Sequence, residues 1–231
     1  MKQSAVTLLS GGLDSAVATL LARRKLNIPL ALTFDYGQRS AEKERAAAKA
    51  FCRFYKIPHK TVPLPWLSRI SSSALTDRSI PLPEYAPADL GKNKKAETKS
   101  AAAVWVPNRN SIFANIAAAY AEAMKCGFIV AGFNAEEAST FPDNSPDFVI
   151  LLNRTFRSST LTHPKLICPT QKMTKRDIAM MSIDLKLRPQ FFWSCYRGGA
   201  RMCGRCESCA RAIRAFKETG AFKRYEALFS K

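Results

Sequence analysis

The chain has 231 residues, of which 47% are hydrophobic, and its 36 Lys and Arg residues against 18 Asp and Glu residues give a formal charge of +18. A chain of this length and apolar content can bury one substantial core, which excludes a wholly disordered protein. No apolar run reaches the roughly 18 to 20 residues of a membrane span, so we expect a cytoplasmic protein without a membrane partner. The positive charge favours phosphate groups, whether on nucleotides or on RNA.

Apolar runs alternate with segments of helical periodicity along most of the chain. We predict strands at 5–9, 30–34, 61–64, 128–132 and 166–168. We predict helices at 16–26, 41–55 and 111–126, and one more that opens with a capping box at 174–177. Because strands that alternate with helices pair in parallel, the pattern predicts a doubly wound α/β fold. Residues 10–15, 35–39 and 132–134 should then share the rim at the carboxyl ends of the strands.

The segment Ser10-Gly11-Gly12-Leu13-Asp14-Ser15 lies between the first predicted strand and the first predicted helix. Free N–H groups at the start of a helix favour an anion, and the two glycines allow the backbone to approach it closely. Asp14 would repel phosphate, so it is interpreted as a helix cap or as a ligand of the Mg²⁺ that accompanies a nucleotide.

This segment lacks the Gly-Lys-Ser/Thr ending of the Walker loop and resembles the Ser-Gly-Gly-x-Asp-Ser loop of the N-type ATP pyrophosphatases. The resemblance implies an adenine nucleotide α-hydrolase-like fold in which the loop holds pyrophosphate while ATP is cleaved at its α-phosphate. The expected ATP contacts are Leu9, Ser10, Gly11, Gly12, Leu13, Asp14, Ser15, Ala16, Val17, Ala18, Thr19 and Asp35.

Four of the seven cysteines are clustered near the end of the chain, at Cys195, Cys203, Cys206 and Cys209. Their spacing predicts a closed site of four thiolates, for which structural Zn²⁺ is the expected ion. An iron–sulfur cluster and a redox pair formed by Cys206 and Cys209 remain as alternatives. The other cysteines are expected to be small core residues, and these are Cys52, Cys126 and Cys168.

The alternating pattern is interrupted between 68 and 103, where Ser, Pro, Lys and Ala predominate and where we expect a mobile excursion. We therefore predict an α/β domain of the ATP pyrophosphatase type over 1–188, including this excursion. A smaller, helical, zinc-binding region should follow over 189–231.

Further motifs in the chain resemble those of one family. They are Asp-Tyr-Gly-Gln-Arg at 35–39, Val-Pro-Asn-Arg-Asn at 106–110, Gly-Phe-Asn-Ala-Glu-Glu at 132–137, Phe-Pro-Asp at 141–143 and Cys-Gly-Arg-Cys-Glu-Ser-Cys at 203–209. Together with the loop at 10–15, they resemble the 7-cyano-7-deazaguanine synthases, particularly the archaeal branch. The chain departs from the bacterial pattern at Ser40, Glu137 and Phe141.

The resemblance implies conversion of 7-carboxy-7-deazaguanine, ammonia and ATP to the 7-cyano base, a precursor of queuosine and archaeosine in tRNA, through an adenylated acid and an amide. It assigns catalysis to Asp14, to Arg109 as a ligand of the substrate carboxylate or α-phosphate, and to Asp143 as the acceptor of the guanine-like N–H edge. Arg39 and Lys172 are weaker phosphate candidates. Asp143 as a turn residue and Arg109 as a cap or surface ion pair remain alternatives.

The expected partners are therefore small molecules, without a stable nucleic-acid partner. A homodimer is possible, with the apolar tail at 222–229 either at its contact or in the core. Two other function classes remain. A tRNA-modifying enzyme of the same superfamily, such as a thiolase, would place the positive charge on RNA. A non-catalytic, zinc-stabilised nucleotide-binding protein would bind ATP without forming AMP.

Overall fold

The structure, a computed structural model, describes residues 3–230. Its strands are β1 (Ser4–Leu8), β2 (Asn27–Asp35), β3 (His59–Pro63), β4 (Phe128–Val130) and β5 (Lys165–Ile167). Its α-helices are α1 (Leu13–Arg23), α2 (Ala41–Tyr55), α3 (Pro65–Arg69), α4 (Lys94–Ala103), α5 (Arg109–Ala123), α6 (Ala135–Ala138), α7 (Pro146–Ser159), α8 (Lys175–Asp184), α9 (Glu207–Glu218) and α10 (Phe222–Tyr225). Short 3-10 helices lie at Pro87–Asp89, Pro142–Asn144, Pro189–Phe191 and Glu226–Leu228.

The strands form one parallel sheet in the order β3-β2-β1-β4-β5. The chain builds the sheet outward from β1 to β3, then crosses to the other side of β1 and continues with β4 and β5. The loops that follow β1 and β4 consequently run in opposite directions and open a crevice at the carboxyl edge. The predicted α/β fold with a parallel sheet is confirmed.

Helices cover both faces of the sheet. On one face, α1 packs with α8 and α9 around a core in which Ala16, Val17 and Ala18 are fully buried. On the other face lie α5 and α7, and the contact surface of α5 is made of small side chains such as Ala114 and Ala117. Because these alanines carry only a methyl group, α5 can approach β1 and β4 closely.

Most predicted elements are found, with boundaries shifted by a few residues. The predicted helix at 41–55 coincides with α2. The predicted capping box is present at the start of α8, where Asp177 N donates to Thr174 Oγ1 at 3.1 Å and Thr174 N donates to Asp177 Oδ2 at 2.9 Å. No helix was predicted within 68–103, yet the last part of this segment forms α4, because Ala, Lys and Glu favour helix there and Asn93 caps α4 by accepting from Ala96 N at 3.1 Å.

The segment 71–103 is fastened to the rest of the protein at several points. Arg39 donates to the carbonyl oxygens of Asp77 at 2.6 Å and Ile80 at 2.5 Å. Tyr85 N donates to the carbonyl of Arg205 at 2.7 Å, beside the cysteine cluster. Arg39, which was a weaker candidate for binding phosphate, therefore uses its guanidinium for hydrogen bonds to this segment. The expected mobility of the segment stays a prediction.

The C-terminal residues belong to the same core as α1. Tyr225 is fully buried and stacks on Phe216 with ring centroids 4.0 Å apart, and Phe229 is 4% exposed. The apolar tail at 222–229 was expected either at a dimer contact or in the core. Tyr225 and Phe229 lie in the core. Within residues 3–230, no helix combines the length and apolar character required to cross a membrane.

The close approach of β4 to α1 gives a test of how the rim is built. A Cβ placed on Gly132 would lie 2.6 Å from Ser15 N and 2.8 Å from the carbonyl carbon of Asp14, both backbone atoms that cannot move aside alone. We expect Gly132→Ala to lower the free energy of unfolding by about 1 to 3 kcal/mol in urea titrations. Gly127→Ala, at an exposed glycine with no atom within 4 Å of such a Cβ, is the matched control. Equal stability of the two variants would contradict this packing.

Candidate active site at the carboxyl edge

The loop after β1 turns directly into α1. Ser10 Oγ lies 3.0 Å from Ser15 Oγ and accepts from Gly12 N at 3.2 Å, while Ser15 Oγ donates to the Gly12 carbonyl at 3.0 Å. Gly11 has a φ of +84°, a conformation that favours glycine. The first N–H groups of α1 have no acceptor within the helix, so the loop presents donors and the positive end of the helix dipole to the crevice.

A cavity of about 270 Å³ opens at this edge, between the loops that follow β1 and β4. The loop residues Ser10, Gly12 and Asp14 line it on one side. Arg109 and Asn110 line it from the start of α5, and aromatic side chains complete the wall, among them Tyr36, Phe113, Phe133, Phe141 and Tyr196. A cavity with planar apolar walls, a few polar groups and an anion-binding loop suits a nucleotide together with a planar heterocycle.

The ammonium group of Lys175 lies between two carboxylates in this cavity. Lys175 Nζ forms ion pairs with Asp14 and, at 2.6 Å, with Glu137, and its side chain is only 14% exposed. Asn134 Nδ2 also donates to Asp14 Oδ2 at 3.2 Å, whereas the buried Asp14 Oδ1 has no hydrogen-bond partner among the described residues. This contact joins the loop after β1, the short helix α6 and the first turn of α8.

The pKa values of the two carboxylates differ in direction. Burial raises the pKa of Asp14, and the nearby Lys175 opposes this shift without cancelling it. Burial acts in the same direction on Glu137, but there the Lys175 ammonium prevails and the pKa falls below its usual value. The same ammonium therefore outweighs the effect of burial at Glu137 and not at Asp14.

Arg109 and Asp143, two of the expected catalytic residues, lie near one another. The Arg109 guanidinium donates to Tyr36 Oη at 3.4 Å and to Asn110 Oδ1 at 3.2 Å, and it lies 5.9 Å from the centre of the Tyr36 ring. Asp143 is half-buried and accepts from Asn144 Nδ2 at 3.1 Å. Burial raises the pKa of Asp143, with Arg109 acting against it. Arg109 lines the cavity. Asp143 does not form part of the cavity wall, whereas its neighbour Asn144 does.

Other expected contacts lie away from the cavity. The Asp35 carboxylate pairs with Arg45 at 3.2 Å and accepts from Gly37 N at 3.2 Å, outside the cavity wall. Residues 16–19 of α1 are buried against the sheet, where Thr19 Oγ1 donates to the Ser15 carbonyl at 2.7 Å and lies 2.7 Å from Thr7 Oγ1. Residues 16–19 therefore pack behind the loop and do not line the cavity. Lys172 is exposed.

The four clustered cysteines meet at the start of α9. The sulfur atoms of Cys195, Cys203, Cys206 and Cys209 all lie within 4.8 Å of one another, and those of Cys203 and Cys209 are 3.9 Å apart. Four thiolates at about 2.3 Å from a tetrahedral ion would be about 3.8 Å apart, so the group can hold a metal. Backbone N–H groups of Cys203 and Cys206 donate to cluster sulfurs at 3.3 Å. Outside the cluster, burial raises the pKa of Cys52 to about 12, which makes that thiol unreactive.

Sequence reasoning missed two charged residues of the cavity, Lys175 and Glu44. Lys175 stands inside the predicted capping box, and the start of a helix that follows a parallel strand always lies near the carboxyl edge. That position was the available signal. Glu44 lies on the polar face of α2, where no pattern separates it from exposed acidic residues.

Comparisons with known proteins agree with this arrangement. A family model described as "Queuosine biosynthesis protein QueC" matches residues 4–220. The 7-cyano-7-deazaguanine synthase of Desulforamulus reducens is 49% identical over 217 residues, covering 94% of this chain and 95% of that one. The synthase of Methanosarcina barkeri is 44% identical over 218 residues, covering 94% of each chain. The solved NMN synthetase of Francisella tularensis has a TM-score of 0.50 at 14% identity, covers 98% of this chain and 84% of that one, and is similar in fold.

Replacing Lys175 tests the charge arrangement. Lys175→Met leaves Asp14 and Glu137 without their shared cation, which should cost about 3 kcal/mol of unfolding free energy at pH 7.5. The carboxylate pKa values should then rise in the folded state, so stability should recover as the pH falls to 5.5 and one carboxylate binds a proton. Urea titrations at both pH values measure this, with the exposed Lys172→Met as control. A pH-independent loss would contradict the assignment.

Proposed function

The chain belongs to the family of the queuosine biosynthesis protein QueC, and we propose that it converts 7-carboxy-7-deazaguanine and ammonia to 7-cyano-7-deazaguanine at the expense of ATP. The observation that carries this proposal is the position of the Ser10–Ser15 loop at the switch point of the sheet, beside a cavity with aromatic walls. Relatives named for this activity match nearly the whole chain, which supports the proposal.

The proposed reaction activates the same carbon twice. The substrate carboxylate attacks the α-phosphorus of ATP, pyrophosphate leaves, and ammonia displaces AMP to give an amide. The amide oxygen is then adenylated in turn and lost with AMP, which leaves the nitrile. Pyrophosphate is the leaving group of both activations, and N–H donors at the start of α1 stabilise the charge that develops on it.

The residues of the cavity are suited to separate parts of this task. Arg109 is a half-buried cation in the cavity wall, able to bind a carboxylate or the α-phosphate through two parallel hydrogen bonds. Asp143 is proposed to accept the N–H edge of the base, with Asn144 holding its carboxylate. Asp14 offers the unpartnered Oδ1 to a Mg²⁺ ion, which would neutralise phosphate charge when bound with ATP.

We propose Zn²⁺ as the ion of the cysteine cluster, since a closed four-thiolate set is typical of structural zinc. The protein is proposed to act on small molecules in the cytoplasm without a stable nucleic-acid partner. A homodimer is compatible with the apolar side chains of Ile150 and Leu151, which are 50% and 57% exposed on α7. The domain arrangement with boundaries at 188 and 189 is retained as a proposal.

The direct test supplies 7-carboxy-7-deazaguanine, ammonia and magnesium ATP and follows AMP and the nitrile by mass spectrometry. We expect both products from the wild-type chain. Asp14→Ala removes the Lys175 partner nearest the loop and should lower AMP formation by about 100-fold or more while the fold remains intact. Asp147→Ala, which removes an exposed acidic residue from the first turn of α7, should leave the rate unchanged. Unaltered turnover in Asp14→Ala would show that the loop has another role.

The same preparation distinguishes the tRNA-modifying alternative. An enzyme that acts on RNA should bind tRNA with an affinity that falls steeply as salt rises, and it should leave the free deazaguanine acid unconverted. A nucleotide-binding protein without catalysis should bind ATP and release no AMP. Either result would replace the synthase proposal.

Removing one thiolate tests the metal site. Cys206→Ser should lose close to one equivalent of zinc per chain and melt at a lower temperature, because the metal holds the loop 195–209 against the core. Elemental analysis reports zinc and iron together and so separates the zinc site from an iron–sulfur cluster. Cys126→Ala, at a buried thiol outside the cluster, should retain the metal. A metal-free Cys206→Ser variant with wild-type stability would refute a structural role.

A further inference from the structure

Some of the charged side chains that line the cavity form ion pairs, and others do not. Among the described residues they are three carboxylates and two basic groups, namely Asp14, Glu44, Glu137, Arg109 and Lys175. Asp14 and Glu137 share the ammonium of Lys175. Glu44 forms no ion pair within 4.0 Å with any basic residue in the part of the chain that the structure describes. The cavity therefore contains one carboxylate without a cation of its own.

Glu44 is held in place by neutral donors. Ser40 Oγ donates to Glu44 Oε1 at 2.7 Å, and Gln38 Nε2 donates to Glu44 Oε2 at 2.8 Å. Gln38 is 4% exposed and Ser40 is 3% exposed, so both donors are fixed by their surroundings. Each carboxylate oxygen retains a second acceptor site, because a carboxylate can accept about four hydrogen bonds. Its two donors orient Glu44, and neither of them carries a positive charge.

Glu44 also lies beside the phosphate-binding loop. A Cβ on Gly11 would collide with the carbonyl oxygen of Glu44, so the loop and the first turn of α2 are in direct contact. The cavity wall includes the Glu44 side chain together with Ser10 and Gly12. A small ligand bound to Glu44 would thus lie close to the loop at which pyrophosphate departs.

Glu44 is half-buried, and a partly desolvated carboxylate without an ion-pair partner is costly; such groups are retained where a charged ligand or a proton completes them. The proposed reaction uses ammonia, which is present at neutral pH mainly as ammonium, a small cation with four N–H donors. Resting on that proposed function, we infer that Glu44 binds the ammonium ion and accepts the proton that must leave before nitrogen can attack. It is a catalytic residue, distinct from the groups that bind ATP.

Amination combines a proton transfer with a displacement at the acyl carbon. One N–H proton of ammonium passes to the Glu44 carboxylate and leaves the electron pair on nitrogen. That pair forms the C–N bond at the acyl carbon of the adenylate, while the C–O bond to AMP breaks and its electrons leave on the AMP phosphate. The nitrogen then releases a second proton to solvent to give the neutral amide, and Glu44 returns its own proton to solvent.

The surroundings of Glu44 strengthen its carboxylate as a base. Burial raises the pKa of Glu44, against the hydrogen bonds from Gln38 and Ser40. Arg109, from the start of α5, lowers the pKa, and Asp35, at the end of β2, raises it. A raised pKa strengthens the carboxylate as a proton acceptor, and general bases perform best with a pKa close to the working pH.

The test separates adenylation from amination in Glu44→Gln, which retains the shape of the side chain and removes its charge. Exchange of labelled pyrophosphate into ATP, dependent on the acid and measured without ammonia, reports adenylation and should stay at the wild-type rate. Amide formation with ammonia at pH 7 should fall by about 100-fold or more, with a raised KM for ammonia. The deficit should shrink as the pH rises and free ammonia becomes more abundant.

Hydroxylamine provides the sharpest comparison, because it is uncharged at neutral pH and needs no proton removed before it attacks. Hydroxamate formation by Glu44→Gln should remain near the wild-type rate. Glu44→Asp keeps the charge and should retain part of the activity with ammonia, and it serves as the second variant if Glu44→Gln folds poorly. Ser40→Ala, which loses one orienting donor, should have a smaller effect than Glu44→Gln.

Three outcomes would overturn the inference. They are wild-type amination by Glu44→Gln, an equal loss with ammonia and hydroxylamine, and a parallel loss of pyrophosphate exchange, which would mark Glu44 as a structural residue that ties α2 to the loop. Failure of the proposed function is seen separately, since the wild-type chain itself would then show no exchange dependent on the acid.

Discussion

The ammonium of Lys175, shared by Asp14 and Glu137, is the contact on which the site depends. At the carboxyl edge of the sheet, this ammonium offsets a negative charge that would oppose anion binding. The start of α1 offers N–H donors to an anion, yet the second residue of that helix is an aspartate that repels one. With Lys175 in place, the local charge of Asp14 is balanced and the donors remain available. The same ammonium fixes the distance between the loop after β1 and the helix after β4.

That contact is connected to the cysteine cluster through a chain of polar groups. Lys175 N donates to Glu136 Oε1 at 2.9 Å, and Arg214 from α9 donates to Glu136 Oε2 at 2.6 Å. Within α9, Arg211 pairs with Glu207 at 2.8 Å, and Glu207 in turn accepts from Ser100 of α4. The region of the cysteine cluster is therefore part of the frame of the candidate site, because α9 contacts the acidic helix α6 and holds the segment 71–103.

The sequence was sufficient for features that depend on local pattern. The loop at 10–15, the bounds of α2 and the spacing of the cysteines follow from neighbouring residues, and short-range rules describe them. It was insufficient where a side chain acquires its role from distant residues. Lys175 and Asp14 are far apart in the chain, and Arg39 faces carbonyls of Asp77 and Ile80 that no motif connects with it. The helix α4 was missed because its alanines and lysines also suit an irregular surface segment.

The charge of the cavity differs from the charge of the whole chain, and the two have separate consequences. The chain carries +18, which raises the concentration of anions around it at long range. Within residues 3–230, the cavity is lined by three carboxylates and two basic groups. Because Lys175 is already shared by two carboxylates, the groups left for anions at short range are the backbone N–H groups and dipole of α1 together with Arg109. On the proposed function, this division would allow an anionic nucleotide and a cationic nitrogen source to occupy one cavity without competing for the same groups.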